Sequence, residues 1–187
     1  MSLKRSLIRF LLDRYKSNKQ AAADTSLEAS LRAARSVVEK SKYCFLITHG
    51  SEGGSNARWV EPIVEADFTV WIGTNPKLRK VQEVIADSAV TLAFGSEKEQ
   101  ANLILKGQAT IVDDLQLRRK HWLGHWRLFF PHGPQGDDYV LLNFEPQCME
   151  VLSFKKAVIP EPFGLSAVQL DRDAGGHWQL RGRQLTS

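Results

Sequence analysis

Cysteine is nearly absent from this chain: Cys44 and Cys148 are the only two in 187 residues. Each lies in an apolar, strand-like run without a second cysteine nearby, which excludes a zinc ribbon or a Cys-x-x-Cys redox pair. One disulfide between them is conceivable, but buried free thiols in a reducing cytosol are the expected state. No apolar run approaches the ~20 residues needed to cross a bilayer. The charged start, apolar run and small-residue cleavage site of a secretory signal are also missing, so a cytoplasmic protein is expected. Nucleophile signatures are equally scarce. There is no Gly-x-Ser-x-Gly elbow. Gly50-Ser51-Glu52-Gly53-Gly54 lacks the Lys-Ser/Thr of a phosphate-binding loop, and a hairpin turn accounts for it.

What is present is ordinary in bulk and uneven in detail. A hydrophobic share of 43% with 25% charged residues suits one globular domain with added terminal elements. The net charge of +4 is concentrated at one end. Lys4, Arg5, Arg9, Arg14, Lys16 and Lys19 face only Asp13 within residues 1–20, a local +5 that leaves −1 for the other 167 residues. A nucleic-acid-binding core would carry a basic face on the fold itself, so that function is not expected.

Residues 2–18 have helical periodicity, with Leu3, Leu7, Phe10 and Leu11 on one side and Arg5, Arg9, Asp13 and Lys16 on the other. Such a helix could touch an anionic membrane, resemble a targeting sequence or dock on its own protein; docking is the expectation. A second helix is expected from a capping box at Thr25 and Glu28, with Leu27, Leu31, Ala34 and Val38 as its apolar stripe. Strands are expected at 43–48, 56–64, 68–73, 90–94, 102–112, 139–144 and 148–154. Residues 114–129 read as a helix, and 167–171 with 177–181 as a final hairpin. Short strands this closely spaced favour a small antiparallel barrel, hence an α+β, mainly β fold. The expected organisation is a basic helix and linker (1–24), a barrel domain (25–154) and a C-terminal extension (155–187).

The most informative stretch is Arg58-Trp59-Val60-Glu61-Pro62 followed by Thr74-Asn75-Pro76-Lys77-Leu78-Arg79-Lys80. Asn75 and Pro76 suit the N-cap and first residue of a helix reaching Ala86, with Leu78, Val81 and Ile85 facing inward. Lys77, Arg79 and Lys80 then crowd a helix end that already carries partial positive charge, and no acid follows until Glu83. Arg58, in a strand expected to pair with 68–73, would join them. An anion, typically a phosphate, is the natural occupant of such a place. His121 and His125 share a helical face at metal-ligand spacing, but no further ligands are evident, so structural histidines are expected.

In this arrangement the chain resembles the pyridoxamine-5′-phosphate-oxidase-like FMN-binding split barrels, and among them the general stress proteins. The resemblance spans about residues 27–154. It rests on Cys44–Thr48, Arg58-x-Val60, Thr74, Arg79-Lys80, Val90-x-Leu92-x-Phe94, Lys106-Gly107-Gln108-Ala109, Asp113-Asp114 and Phe129-Phe130-Pro131-x-Gly133. It implies an antiparallel split barrel with flanking helices, binding FMN. Arg58 and Lys80 would pair with the FMN phosphate, assisted by Arg79. Trp59, Val60 and Glu61 would line the flavin, Thr74 would contact phosphate or ribityl, and Asn102 would stand where relatives often place a Gln. It also implies a homodimer with the cofactor between subunits, the Trp122–Phe130 region supplying part of the interface.

Three departures bear on activity. Ile63 occupies the position of the substrate-contacting Lys in the vitamin oxidases, and Arg181-Gly182-Arg183-Gln184 replaces their Arg-x-His pair. An aromatic often found near Leu152 in the stress proteins is absent. Oxidation of pyridoxamine phosphate itself is therefore not expected. A flavin-dependent redox protein is the leading expectation, with a non-catalytic flavin-sequestering or sensor module as the alternative. The same barrel could take a deazaflavin or haem, haem being weaker because only His121 and His125 offer axial ligands.

Overall fold

Alternating burial along the strands organises the structure. In β1 (Cys44–His49), Cys44, Leu46 and Thr48 point into the core while Phe45 and His49 point out, as period-2 geometry requires. The computed structural model describes residues 2–50 and 53–182, with side chains from residue 5 onward. The side chain of Leu3, Ser51-Glu52 of the glycine turn and Arg183-Gln184 lie outside the described residues. The other strands are β2 (Ser55–Val60), β3 (Pro62–Val64), β4 (Val70–Thr74), β5 (Ala89–Ser96), β6 (Ala101–Val112), β7 (Val140–Ser153), β8 (Val168–Arg172) and β9 (Trp178–Leu180). The helices are α1 (Ser2–Ala21), α2 (Leu27–Lys40), α3 (Arg79–Ala86) and α4 (Leu115–Lys120).

The sheet runs in the order β2-β1-β5-β6-β7-β4-β3, with β8 on β7 and β9 on β8. Its β1–β2, β1–β5, β3–β4 and β4–β7 pairs are antiparallel. This is the split-barrel α+β fold that the sequence led us to expect. The chain falls into two compact units: residues 41–95 with 104–149, and residues 1–40 with 96–103 and 150–187.

In the first unit, the strand expected over 56–64 is broken at Glu61, and the two pieces pair differently. β2 pairs with β1, placing Arg58 opposite Leu46, whereas β3 pairs with β4, placing Ile63 opposite Trp71. Pro62 has no amide hydrogen to give and is tolerated as the first residue of a strand, which fits the break. Arg58 therefore does not sit in a hairpin with residues 68–73. The opposite correction applies to residues 139–154, where two expected strands form the single β7. Its continuity past Pro146 depends on Gly107 of β6: a Cβ there would stand 2.0 Å from the Glu145 carbonyl oxygen.

Helix starts also moved. α3 begins at Arg79, not at Pro76, because Leu78 is extended (φ −78°, ψ 148°). The Asn75 side chain instead accepts from the Lys77 amide at 2.9 Å, closing a local turn. The buried face of α3 is Val81, Glu83 and Val84, while Leu78 and Ile85 are exposed. The helix expected over 114–129 is α4 plus a separate 3₁₀ turn at Gly124–Leu128. Asp114 caps α4 through the Leu117 amide at 2.8 Å, and Asp113 holds Arg118 at 2.5 Å. Around that turn, Trp126, Phe130, Tyr139 and Leu141 form a buried aromatic cluster on which Ile63, Trp71 and Trp122 pack.

The second unit is built on α2, which buries Ala29, Ser30, Ala33, Ala34 and Val37. Leu27, Leu31 and Val38 lie at the edge of that face and are half-buried. The cap of α2 is Ser26, whose hydroxyl accepts from the Ala29 amide at 3.3 Å, and not Thr25. Glu99 is buried and satisfied by Ser36 and Lys155, each at 3.3 Å. α1 is exposed along most of its length. Among the described side chains, its last turns engage the unit, through Tyr15 against Phe163 (6.2 Å between ring centres), Lys16 Nζ 5.8 Å from the centre of the same ring, and Gln20 donating to the Ile159 carbonyl at 2.9 Å. The expectation that this helix docks on its own protein thus holds only at its C-terminal end.

Candidate functional site

The residues between Arg58 and Lys80 surround a cavity of about 670 Å³ in the first unit, within the ~300–1,000 Å³ typical of small-molecule sites. Trp59, Val60, Glu61, Thr74 and Lys80 all line it, together with Tyr43, Asn75, Leu78, His125, Trp126 and Phe129. Arg58, Arg79 and Asn102 do not line it, and Asn102 belongs to the other compact unit.

The cations of the cluster have separate fates. Glu83, one turn into α3 and buried, gathers two of them. Arg58 donates from Nη2 to Glu83 Oε2 at 2.6 Å, and Arg79 Nε lies 3.2 Å from Oε1. Thr48 donates to the same carboxylate at 2.5 Å and Asn56 at 2.7 Å. Burial disfavours the Glu83 anion, but the hydrogen bonds from Thr48 and Arg58 and the charges of Arg58 and Arg79 outweigh it and hold the carboxyl below its ordinary value. Lys77 is exposed in the turn before α3.

Lys80 differs from the others. It is partly buried, reaches the cavity, and has no carboxylate partner among the described residues. Desolvation, with repulsion from nearby Arg58, lowers its pKa from the usual lysine value. A cation in that condition gains from an incoming anion. Thr74 adds a second unsatisfied group: the residue is 1% exposed, and its hydroxyl oxygen has no hydrogen-bond partner among the described residues. Buried hydroxyls are normally paired, so this one fits a polar ligand group.

The opposite wall is an arrangement that sequence reasoning did not foresee. Glu61 Oε2 accepts from Trp126 Nε1 at 2.9 Å and lies 2.6 Å from His125 Nε2, while Lys42 Nζ is 3.8 Å from Oε1. Burial opposes ionisation of Glu61, but the His125 and Trp126 hydrogen bonds, helped by the charges of His125 and Lys42, prevail and lower its pKa. Glu61 is thus a fixed anion in the cavity wall and not a solvated strand residue. The signal that could have found it was its place at the strand break before Pro62. Its partners, 64 and 65 residues away, left no local trace.

Gly73 makes this wall possible. A Cβ there would lie 2.5 Å from the Trp126 ring and 2.9 Å from Tyr139. Gly73→Ala should displace Trp126 from Glu61 and lower stability by about 1–3 kcal/mol, the usual cost of overpacking. A denaturant-unfolding midpoint equal to the parent's would contradict that packing.

His121 and His125 do not act as a pair. His121 is buried, stacks on Trp71 with ring centres 4.3 Å apart and lies 3.7 Å from Glu65, whereas His125 turns to Glu61. Burial, then the neighbouring Lys120 charge, lowers the His121 pKa against the opposing pull of Glu65. The one group of ligand atoms close enough to share an ion, among the described residues, is the peripheral His132, Asp137 and Asp138. Cys44 is a buried free thiol whose pKa burial pushes up to about 12, and Cys148 is free and only partly buried.

The strands and their cavity define an α+β split barrel, and comparison with known proteins agrees on that fold. The family model of pyridoxamine 5′-phosphate oxidase-like proteins matches residues 30–160, and the chain belongs to that family. Comparison with curated proteins finds no match. Among solved structures, a protein from Clostridium acetobutylicum related to general stress protein 26 is 21% identical. The alignment covers 75% of this chain and 93% of that one, with a TM-score of 0.64. General stress protein 26 of Bacillus anthracis is 17% identical over 65% of this chain and 92% of its own, with a TM-score of 0.57. A pyridoxamine 5′-phosphate oxidase-related, FMN-binding protein from Nostoc punctiforme is 15% identical over 81% and 91%, with a TM-score of 0.59. At these identities the likeness speaks for the fold.

Proposed function

We propose that this is a cytoplasmic FMN-binding protein of the general stress protein type, with residues 25–154 as its cofactor domain. The reading rests on one observation above all: Lys80, with no carboxylate partner among the described residues, and the similarly unpaired Thr74 hydroxyl line the same cavity. A phosphate satisfies both, the first by charge and the second by hydrogen bonding. Tyr43 and Trp59, stacked with ring centres 5.6 Å apart and planes within 4°, offer an aromatic wall suited to a flat ring system.

Roles then divide by residue. Lys80 and Thr74 would hold the phosphate end, and Trp59, Val60 and Glu61 the ring end. Arg58 and Arg79 would act from behind Lys80, their charges largely spent on Glu83. When bound, the flavin would supply hydride or electron transfer. His125, held by Glu61, could then exchange a proton with whatever occupies the cavity. Pyridoxamine phosphate is not the favoured substrate. Ile63 packs against the aromatic cluster, where a substrate-binding lysine has no place. Arg181 is engaged by Asp171 at 2.8 Å.

The test is the visible spectrum of purified protein before and after adding FMN and desalting. Retained flavin absorption supports the reading. A Soret band would assign haem instead, and a blue-shifted band a deazaflavin. Rapid re-oxidation with NAD(P)H and an acceptor would distinguish an enzyme from a sequestering or sensor module.

A homodimer belongs to the same proposal. Leu128 is 84% and Phe129 71% exposed, and Trp59, beside the cavity, is 67% exposed, an apolar surface that suits an interface between copies. Leu128→Glu with Phe129→Glu should convert a dimer to a monomer in light scattering, with at least a tenfold weaker association. A parent protein that is already monomeric would remove the dimer from the proposal.

A further inference from the structure

No helix among the described residues is long and apolar enough to cross a membrane, yet α1 leaves an apolar face uncovered. Leu7, Ile8, Phe10, Leu11 and Leu12 are each 54–59% exposed. At 100° per residue, Arg5, Arg9 and Lys16 fall opposite Leu7 and Leu11. Arg14 and Lys19 fall within the apolar arc, where their long stems can lie on apolar surface while their charged heads reach outward.

We propose that α1 binds the surface of an anionic lipid bilayer, lying in its plane with the apolar arc at the acyl boundary and its cations among the headgroups. A broad exposed apolar arc together with an excess of Lys and Arg marks an interfacial helix, and the many charges exclude a spanning one. Charge decides the occupant. Pairing α1 with α1 of a second copy would set two segments of +5 against each other, and the rest of the chain, at −1, offers little attraction. An anionic membrane matches both faces at once. Because Tyr15, Lys16 and Gln20, all in the last turns, make the ties to its own unit among the described side chains, the earlier turns can seat without disturbing that unit. The proposal is independent of the flavin reading.

The experiment is co-sedimentation of full-length protein with vesicles of phosphatidylglycerol and phosphatidylcholine, or of phosphatidylcholine alone, at low and high salt. The parent should partition onto the anionic vesicles and be released by salt. Phe10→Glu with Leu11→Glu, both at exposed positions, should bind at least tenfold less with an unchanged melting temperature. Absence of vesicle binding, or equal binding of parent and variant, would overturn the proposal. So would equal binding to neutral vesicles. A smaller particle for the variant in lipid-free light scattering would assign the face to a second copy instead.

Discussion

Lys80→Ala is expected to abolish retention of FMN through desalting, with affinity reduced roughly tenfold to a hundredfold. The size follows from the ~1.5–3 kcal/mol of a hydrogen bond to a charged group. It should exceed the effect of Arg79→Ala, because Arg79 is 73% exposed and already faces Glu83, whereas Lys80 has no acid among the described residues. The pH dependence has a definite sign. Desolvation and Arg58 lower the pKa of Lys80, and a bound phosphate would raise it again. Binding therefore takes up a proton once the pH passes the lowered value, and affinity falls on the alkaline side earlier than for an ordinary lysine. Lys80→Arg keeps its charge throughout this range, so any binding it retains should lose that alkaline decline. Equal retention by parent and Lys80→Ala, read from the flavin spectrum after desalting, would remove Lys80 from the site.

Glu83→Ala should give the largest loss of stability of any single substitution near the cavity, about 3 kcal/mol in denaturant unfolding. Removing one partner of a buried ion pair leaves the other uncompensated. Here that is Arg58, whose side chain is only 20% exposed, and Thr48 and Asn56 lose their acceptor as well. Arg58→Met combined with Glu83→Met should recover much of the loss, because no charge is then stranded. A double variant as unstable as the sum of the singles would refute the pairing. Glu83 titrates below the ordinary glutamate value of 4.5 when folded. Its contribution is therefore complete above about 4.5 and disappears as pH falls through the lower folded value. The parent's acid sensitivity in that window should be blunted in the double variant. Flavin retained by the double variant would further assign the anion to Lys80 and not to Arg58.

Much of the fold was readable because its signals are local. Period-2 burial marked β1, β5 and β6, and the glycine turn at 174–176 marked the β8–β9 hairpin, whose strands end within a residue or two of expectation. The exceptions arose where a distant contact, or one of two competing local hydrogen bonds, settled an ambiguity. The β7 strand passes Pro146 because Gly107, on β6, yields room. α3 starts late because Asn75 closes its own turn before the helix. Ser26 displaces Thr25 as the cap of α2 by holding the Ala29 amide.

By itself, the sequence determined that the chain is a short-stranded α+β protein with cations crowded before one helix and a basic amphipathic segment at residues 2–18. Charge, periodicity and turn chemistry act between neighbours, so adjacent letters suffice for these. Tertiary structure alone decided which of these cations Glu83 holds. Glu83 can neutralise Arg58 only because β2 and α3 meet, 25 residues apart in the chain. It alone brought His125 and Trp126 to Glu61 across Gly73, and it alone left the apolar side chains from Leu7 to Leu12 exposed. Those outcomes depend on which surfaces pack and which do not, and packing is set by the whole chain at once.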